Sequence, residues 1–114
     1  MKKISVLFLL IIPVILQFCS TTKNTVTKKA PSLTYTKDIK PLMLAHCTPC
    51  HFPPKGNKKA YDNYLAVKTD IDFIISRIQK NPGEKGFMPF KHAKLSDSTI
   101  NVFVNWKKEG LLEN

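Results

Sequence analysis

The stretch Cys47-Thr48-Pro49-Cys50-His51 decides how this chain is read, because C-x-x-C-H is the attachment pattern of c-type haem. Two thiols three positions apart lie on neighbouring edges of one helical turn, so each can add across one vinyl group of the same porphyrin. The residue after the second thiol is then carried beneath the ring, where the His51 imidazole reaches the iron as proximal ligand. Two other readings exist for the pair of thiols. Half of a zinc site needs a second Cys/His pair, and no Cys follows Cys50. A thioredoxin-like redox pair follows a strand in a βαβ pattern, which is missing here. The spacing therefore predicts one covalent haem c, with its iron, held by Cys47, Cys50 and His51.

A second stretch with chemical content is Gly83-Glu84-Lys85-Gly86-Phe87-Met88-Pro89-Phe90. Two glycines let backbone pass close to a flat ligand, and Pro89 biases Met88 towards an extended conformation that projects its side chain inward. A thioether is a soft donor that stabilises ferrous over ferric iron, so His/Met ligation raises the reduction potential. Met88 sits in a Gly/Pro loop off any helical stripe, which makes it a poor residue for plain core packing. It is the expected sixth ligand and, with His51, the expected metal-binding pair. His92, four positions later, is the rival and would give a bis-His haem. Met43 falls on an apolar helical stripe and is expected in the core, and His46 is expected at the surface or in packing.

The hydrophobic periodicity between these stretches is helical throughout. Ile39, Leu42, Met43 and His46 follow i, i+3, i+4, i+7, so a first helix is expected from Ile39 into Cys47, with Asp38 as its N-cap. Phe52-Pro53-Pro54-Lys55-Gly56-Asn57 forbids regular structure, and the chain leaves the motif through a loop. A short helical turn is expected around residues 61–67. Ile71, Ile74, Ile75 and Ile78 then mark an amphipathic helix beginning near Asp70, its apolar face widened by Phe73, and Asn81-Pro82-Gly83 ends it. Ser96 is the expected N-cap of a last helix that carries Ile100, Phe103, Val104 and Trp106 and stops at Gly110. Leu95 and Ile100 form the expected hydrophobic staple at its start. No alternating strand pattern of useful length occurs, so the expected class is all-α.

The N-terminal part belongs to another layer of organisation. Residues 1–19 read as an export signal: Lys2 and Lys3 precede an apolar run over residues 4–18, short of the ~20 residues that span a bilayer comfortably. The run closes on Leu16-Gln17-Phe18-Cys19, which resembles a bacterial lipobox and makes Cys19 the expected lipidation site and membrane anchor. Leu16 fits that pattern, and Phe18 departs from the small residue usual before the Cys. Residues 20–34 are polar, rich in Thr, Ser and Lys, and read as a flexible tether. A single domain over residues 35–114 follows. All three cysteines are then spent on thioethers, one to lipid and two to haem, and no thiol is left for a disulfide. A core of about 80 residues is marginal without a staple, and the haem supplies that cross-brace.

The formal charge is +10, or +8 without Lys2 and Lys3. Lys55, Lys58, Lys59, Lys85, Lys91 and Lys94 flank the two haem-binding stretches and predict a positive rim that steers the domain towards an acidic redox partner. Nucleic-acid binding is disfavoured, because export removes the target and no recognition motif accompanies the charge.

Taken over residues 35–110, the chain resembles the class I cytochromes c, in particular small monohaem domains of the bacterial cell envelope. The resemblance is carried by Tyr35-Thr36-Lys37-Asp38-Ile39-Lys40-Pro41 leading into the C-x-x-C-H motif, then Met88-Pro89, then Leu95-Ser96-Asp97 opening a helix that carries Trp106 and ends at Gly110. It implies three to four helices around one covalently bound haem, with first and last helices crossing near it and the Met arriving from the opposite side. It also implies electron transfer without catalysis, on the periplasmic side of a membrane. The alternatives are a haem sensor, a peroxidase-like protein, or the haem subunit of a larger oxidoreductase.

Overall fold

The computed structural model describes residues 32–114; the expected signal segment, Cys19 and the first part of the tether lie outside the described residues. A wide π-helical turn, Tyr35–Ile39, runs into α1 (Lys40–Cys47), and α2 (Tyr64–Thr69), α3 (Ile71–Ile78) and α4 (Asp97–Lys108) follow. Among the described residues the extended pairing amounts to one isolated bridge, Thr34 with Leu112, so the domain is all-α.

The opening turn starts earlier than the periodicity predicts. Asp38 is not the N-cap of α1; its Oδ2 accepts the Thr34 N–H at 2.7 Å, while Thr34 Oγ1 accepts the Lys37 N–H at 3.3 Å. The two bonds are reciprocal, as in a capping box but with the carboxylate one residue further along, and Thr34 is the cap. Leu33 and Thr34, which composition assigns to the tether, thereby join the fold, and Thr34 is buried. The Lys40 N–H reaches back to Tyr35 O, and Pro41, in the first turn of α1, has no N–H to lose. Ile39 and Met43 on the stripe are fully buried, whereas His46, at its C-terminal end, is exposed at the surface.

In α2 the Asn63 side chain caps, accepting the Ala66 N–H at 3.0 Å. Helix α3 buries Ile71, Ile74 and Ile78. Phe73 does not widen that face. At about 100° per residue it lies some 200° from Ile71, on the far side of the helix, and it is exposed with the Arg77 guanidinium 4.4 Å from its ring centroid. Helix α4 starts and stops where the sequence places its ends. Ser96 Oγ accepts the Thr99 N–H at 3.2 Å, and Leu95 and Ile100 are both buried beside this start. At the other end Leu111 N–H donates to Trp106 O and Gly110 N–H to Lys107 O, a Schellman arrangement with Gly110 at φ +97°.

The core gathers Ile39, Met43, Val67, Phe103 and Trp106, all fully buried, each contributing about 1.5–3 kcal/mol of transfer free energy. Helix α4 packs on α3 and on the opening turn, and α2 packs on α3. Tyr35, Tyr64 and Trp106 form an aromatic cluster with centroids 5.6–6.4 Å apart. The two ends of the described chain close over it. Tyr35 N–H donates to Leu112 O, Thr36 N–H to Glu113 O, and Trp106 Nε1 and Tyr64 Oη hold the carbonyls of Leu112 and Leu111 from inside.

Candidate functional site

Cys47 is the last residue of α1, and the helix stops there: Thr48 is extended (φ −80°, ψ 156°), so the motif is not the helical turn its spacing suggests but a tight non-helical turn, closed by His51 N–H donating to Cys47 O at 3.1 Å. The Cys47 thiol is half-buried and donates to Met43 Sδ at 3.7 Å; burial pushes it up to about 11, so it is neutral at pH 7. Cys50 is exposed, and neither thiol is in a disulfide. The loop after His51 doubles back onto the motif, where Gly56 N–H donates to Phe52 O and Lys58 N–H to Cys50 O. Glycine is required at residue 56, because a Cβ there would stand 2.3 Å from Cys50 O and 2.4 Å from Pro49 O.

His51 is held on three sides. Its Nδ1 lies 2.7 Å from Lys59 O. A carbonyl can only accept, so Nδ1 carries the proton and Nε2 keeps its lone pair in the neutral ring. The ring stacks on Tyr61, with centroids 4.9 Å apart and planes 22° from parallel, and Tyr61 N–H donates to His51 O at 2.9 Å. Tyr61 is buried, and its hydroxyl donates to Asp70 Oδ2 at 2.9 Å. Burial first, and then that hydrogen bond, push the phenol up to about 12. The same Oδ2 is paired with the Lys59 ammonium. Lys59 first and Tyr61 second hold the Asp70 carboxyl below its usual range.

Met88 stands on a separate loop. Its N–H donates to Arg77 O at 3.2 Å, and Arg77 Nη1 donates to Gly86 O at 3.0 Å, so the last turn of α3 fixes the loop from both directions. Gly86 is at φ +87°, and a Cβ there would meet Arg77 Nη1 at 2.3 Å. Phe87 and Pro89 are buried around the half-buried Met88. Met88 and His92 line one groove of about 400 Å³, together with Phe90, whose side chain is 66% exposed. Cys47, Cys50 and His51 do not line that groove. The structure thus unites the three motif residues on one turn and Met88 and His92, the two residues expected to compete for the sixth position, in one groove, without joining the two sets in a single cavity.

The donor set fits a covalently attached porphyrin. Two unpaired thiols share a turn with an imidazole whose tautomer leaves the Nε2 lone pair unprotonated, and uncovered apolar side chains, Leu44 and Phe90, adjoin the two stretches. It does not fit a closed zinc site, since no three His, Cys, Asp or Glu side chains come together among the described residues. Of the rim lysines, Lys59 is engaged by Asp70 and Lys94 donates to Asn81 Oδ1, while Lys55, Lys58, Lys85 and Lys91 are exposed. Sequence reasoning missed Tyr61, Asp70 and Arg77 as site residues. Each acts through a contact that no local pattern encodes. Tyr35 Oη is buried with no hydrogen-bond partner among the described residues. Compared with family models, curated proteins and solved structures, the chain matches none.

Proposed function

We propose that this protein is a monohaem c-type electron carrier with a class I cytochrome c architecture, tethered at the cell envelope through Cys19. The observation that carries the reading is His51, whose Nδ1 proton is committed to Lys59 O on the very turn that presents two unpaired thiols. Commitment of one ring nitrogen to a backbone carbonyl orients the other as a metal ligand and raises its basicity. Cys47 and Cys50 would hold the porphyrin through two thioethers, His51 would be the proximal ligand, and Met88 the sixth. The bound iron would supply one-electron cycling between ferric and ferrous states.

The chain's own residues do the rest. The Met88 thioether favours the ferrous state, and Arg77 keeps its loop in place through Met88 N–H and Gly86 O. Lys55, Lys58, Lys85 and Lys91 supply positive surface beside both stretches, the sign that attracts an acidic redox partner. His92 lines the same groove as Met88, and this favours bis-His ligation as the second reading. The test is covalent haem itself. Haem staining on a denaturing gel should mark the wild type and vanish in the Cys47→Ala/Cys50→Ala double variant; persistence in that variant overturns the proposal.

A further inference from the structure

We propose that Asp70, which does not touch His51, is a positioning residue for its imidazole, acting through Tyr61 and Lys59; the inference rests on the haem reading above. One oxygen, Asp70 Oδ2, accepts the Tyr61 hydroxyl proton at 2.9 Å and pairs with the Lys59 ammonium. Each of these two residues grips His51 by a different group. Lys59 offers its carbonyl to Nδ1 at 2.7 Å. Tyr61 donates its N–H to His51 O at 2.9 Å and lays its ring against the imidazole at 4.9 Å. A carbonyl fixes the tautomer and the direction of one ring nitrogen, and a stacked ring restricts rotation about the bond that carries the imidazole. The two restraints meet at a single carboxylate.

The carboxylate is itself well founded. Asp70 is the joint between α2 and α3, where its N–H donates to Ala66 O and its own carbonyl accepts the Ile74 N–H at 2.9 Å. Its side chain is 16% exposed, and Tyr61 is 4% exposed, so water competes weakly for the bond between them. Helix packing is in this way transmitted to the plane of a ligand ring eight residues upstream of Lys59. The outcome is an imidazole whose Nδ1–H bond, and hence whose donor strength, is set by a residue outside the motif.

The test uses the haem-loaded protein in its ferrous, diamagnetic state and reads two quantities: solvent exchange of the His51 Nδ1 proton by NMR, and the midpoint potential. Asp70→Ala should speed exchange roughly tenfold, as expected when a hydrogen bond is loosened, and shift the potential. Tyr61→Phe keeps the stacked ring, removes only the hydroxyl bond, and should move both readings in the same direction by less. Asp70→Ala/Tyr61→Phe should add nothing to Asp70→Ala. Asp72→Ala, which removes the exposed pair with Lys107, is the control and should leave both unchanged. Exchange and potential in Asp70→Ala equal to those of the control overturn the inference, even if thermal stability has dropped. If Asp70→Ala does not fold, Tyr61→Phe decides by the same criterion. Wild type that attaches no haem refutes the electron-carrier reading and this inference together, whereas haem-loaded wild type with silent variants refutes this inference alone.

Discussion

Gly56→Ala offers a direct measure of how tightly the loop after His51 is folded onto the Cys47–His51 turn. The added Cβ would stand 2.3 Å from Cys50 O and 2.4 Å from Pro49 O, more than 1 Å inside an ordinary contact of about 3.5 Å. Both obstacles are backbone atoms of the motif, so no side chain can swing aside. Overpacking of this kind costs about 1–3 kcal/mol. In a domain of about 80 residues each kcal/mol lowers Tm by roughly 4–8 °C, so a mid-range cost of ~2 kcal/mol lowers it by roughly 8–16 °C. Gly56 does not have a positive φ, which removes backbone strain as a competing cause. Gly83→Ala is the matched comparison: φ is +94° and nothing lies within 4 Å of the added Cβ, so only left-handed strain of about 1 kcal/mol is expected. Urea and thermal unfolding, followed through Trp106 fluorescence, should rank wild type above Gly83→Ala above Gly56→Ala. A Gly56→Ala protein as stable as wild type would refute the close folding of that loop.

Three further outcomes follow from the site. Met88→Ala should keep haem attached but lower the midpoint potential, since a donor favouring ferrous iron is lost, while His92→Ala should change little; the reverse pattern, measured by redox titration, assigns the sixth position to His92. Asp70 has a folded pKa below its unfolded value of about 3.9, so its contribution to stability is complete above that value and is lost as pH falls through the depressed folded pKa. Acid titration of unfolding free energy should therefore show a shallower low-pH limb in Asp70→Asn than in wild type, and identical limbs would contradict the Lys59 and Tyr61 contacts. Cys19→Ser should move the protein out of the processed membrane fraction, and absence of labelled fatty acid in the wild type would rule out a lipid at that residue.

What the sequence made legible is what lies within one or two turns of chain. The boundaries of α4 were readable because Ser96 and Gly110 are local devices, a side-chain cap and a left-handed stop. The α3 stripe was readable from spacing, yet Phe73 was misplaced because an apolar residue at the wrong angle looks like any other apolar residue until a guanidinium is found lying on it. Asp38 departs from its expected role for a related reason: a carboxylate before a helix can cap forwards or bind backwards, and only the π-helical turn selects Thr34 N–H. His51 and Lys59 are eight residues apart, but their bond depends on the path of a Pro- and Gly-containing loop, which periodicity does not describe. Asp70 with Tyr61, and Arg77 with Gly86, are likewise meetings of a helix end with a loop. The motif and the Met88 loop were each visible as chemistry, and their relation in space was not.

The closure of the described chain's two ends has a mechanical consequence. Tension arriving along the chain from residue 32 meets Leu33 N–H on Glu109, then Tyr35 N–H on Leu112 O and Thr36 N–H on Glu113 O, before it reaches α1. Those bonds hand the force to the end of α4 and, through Trp106 Nε1 and Tyr64 Oη, to the aromatic cluster. Residues 47–51 lie beyond this clasp, so a pull arriving at residue 32 is borne by the clasp before the Cys47–His51 turn feels it.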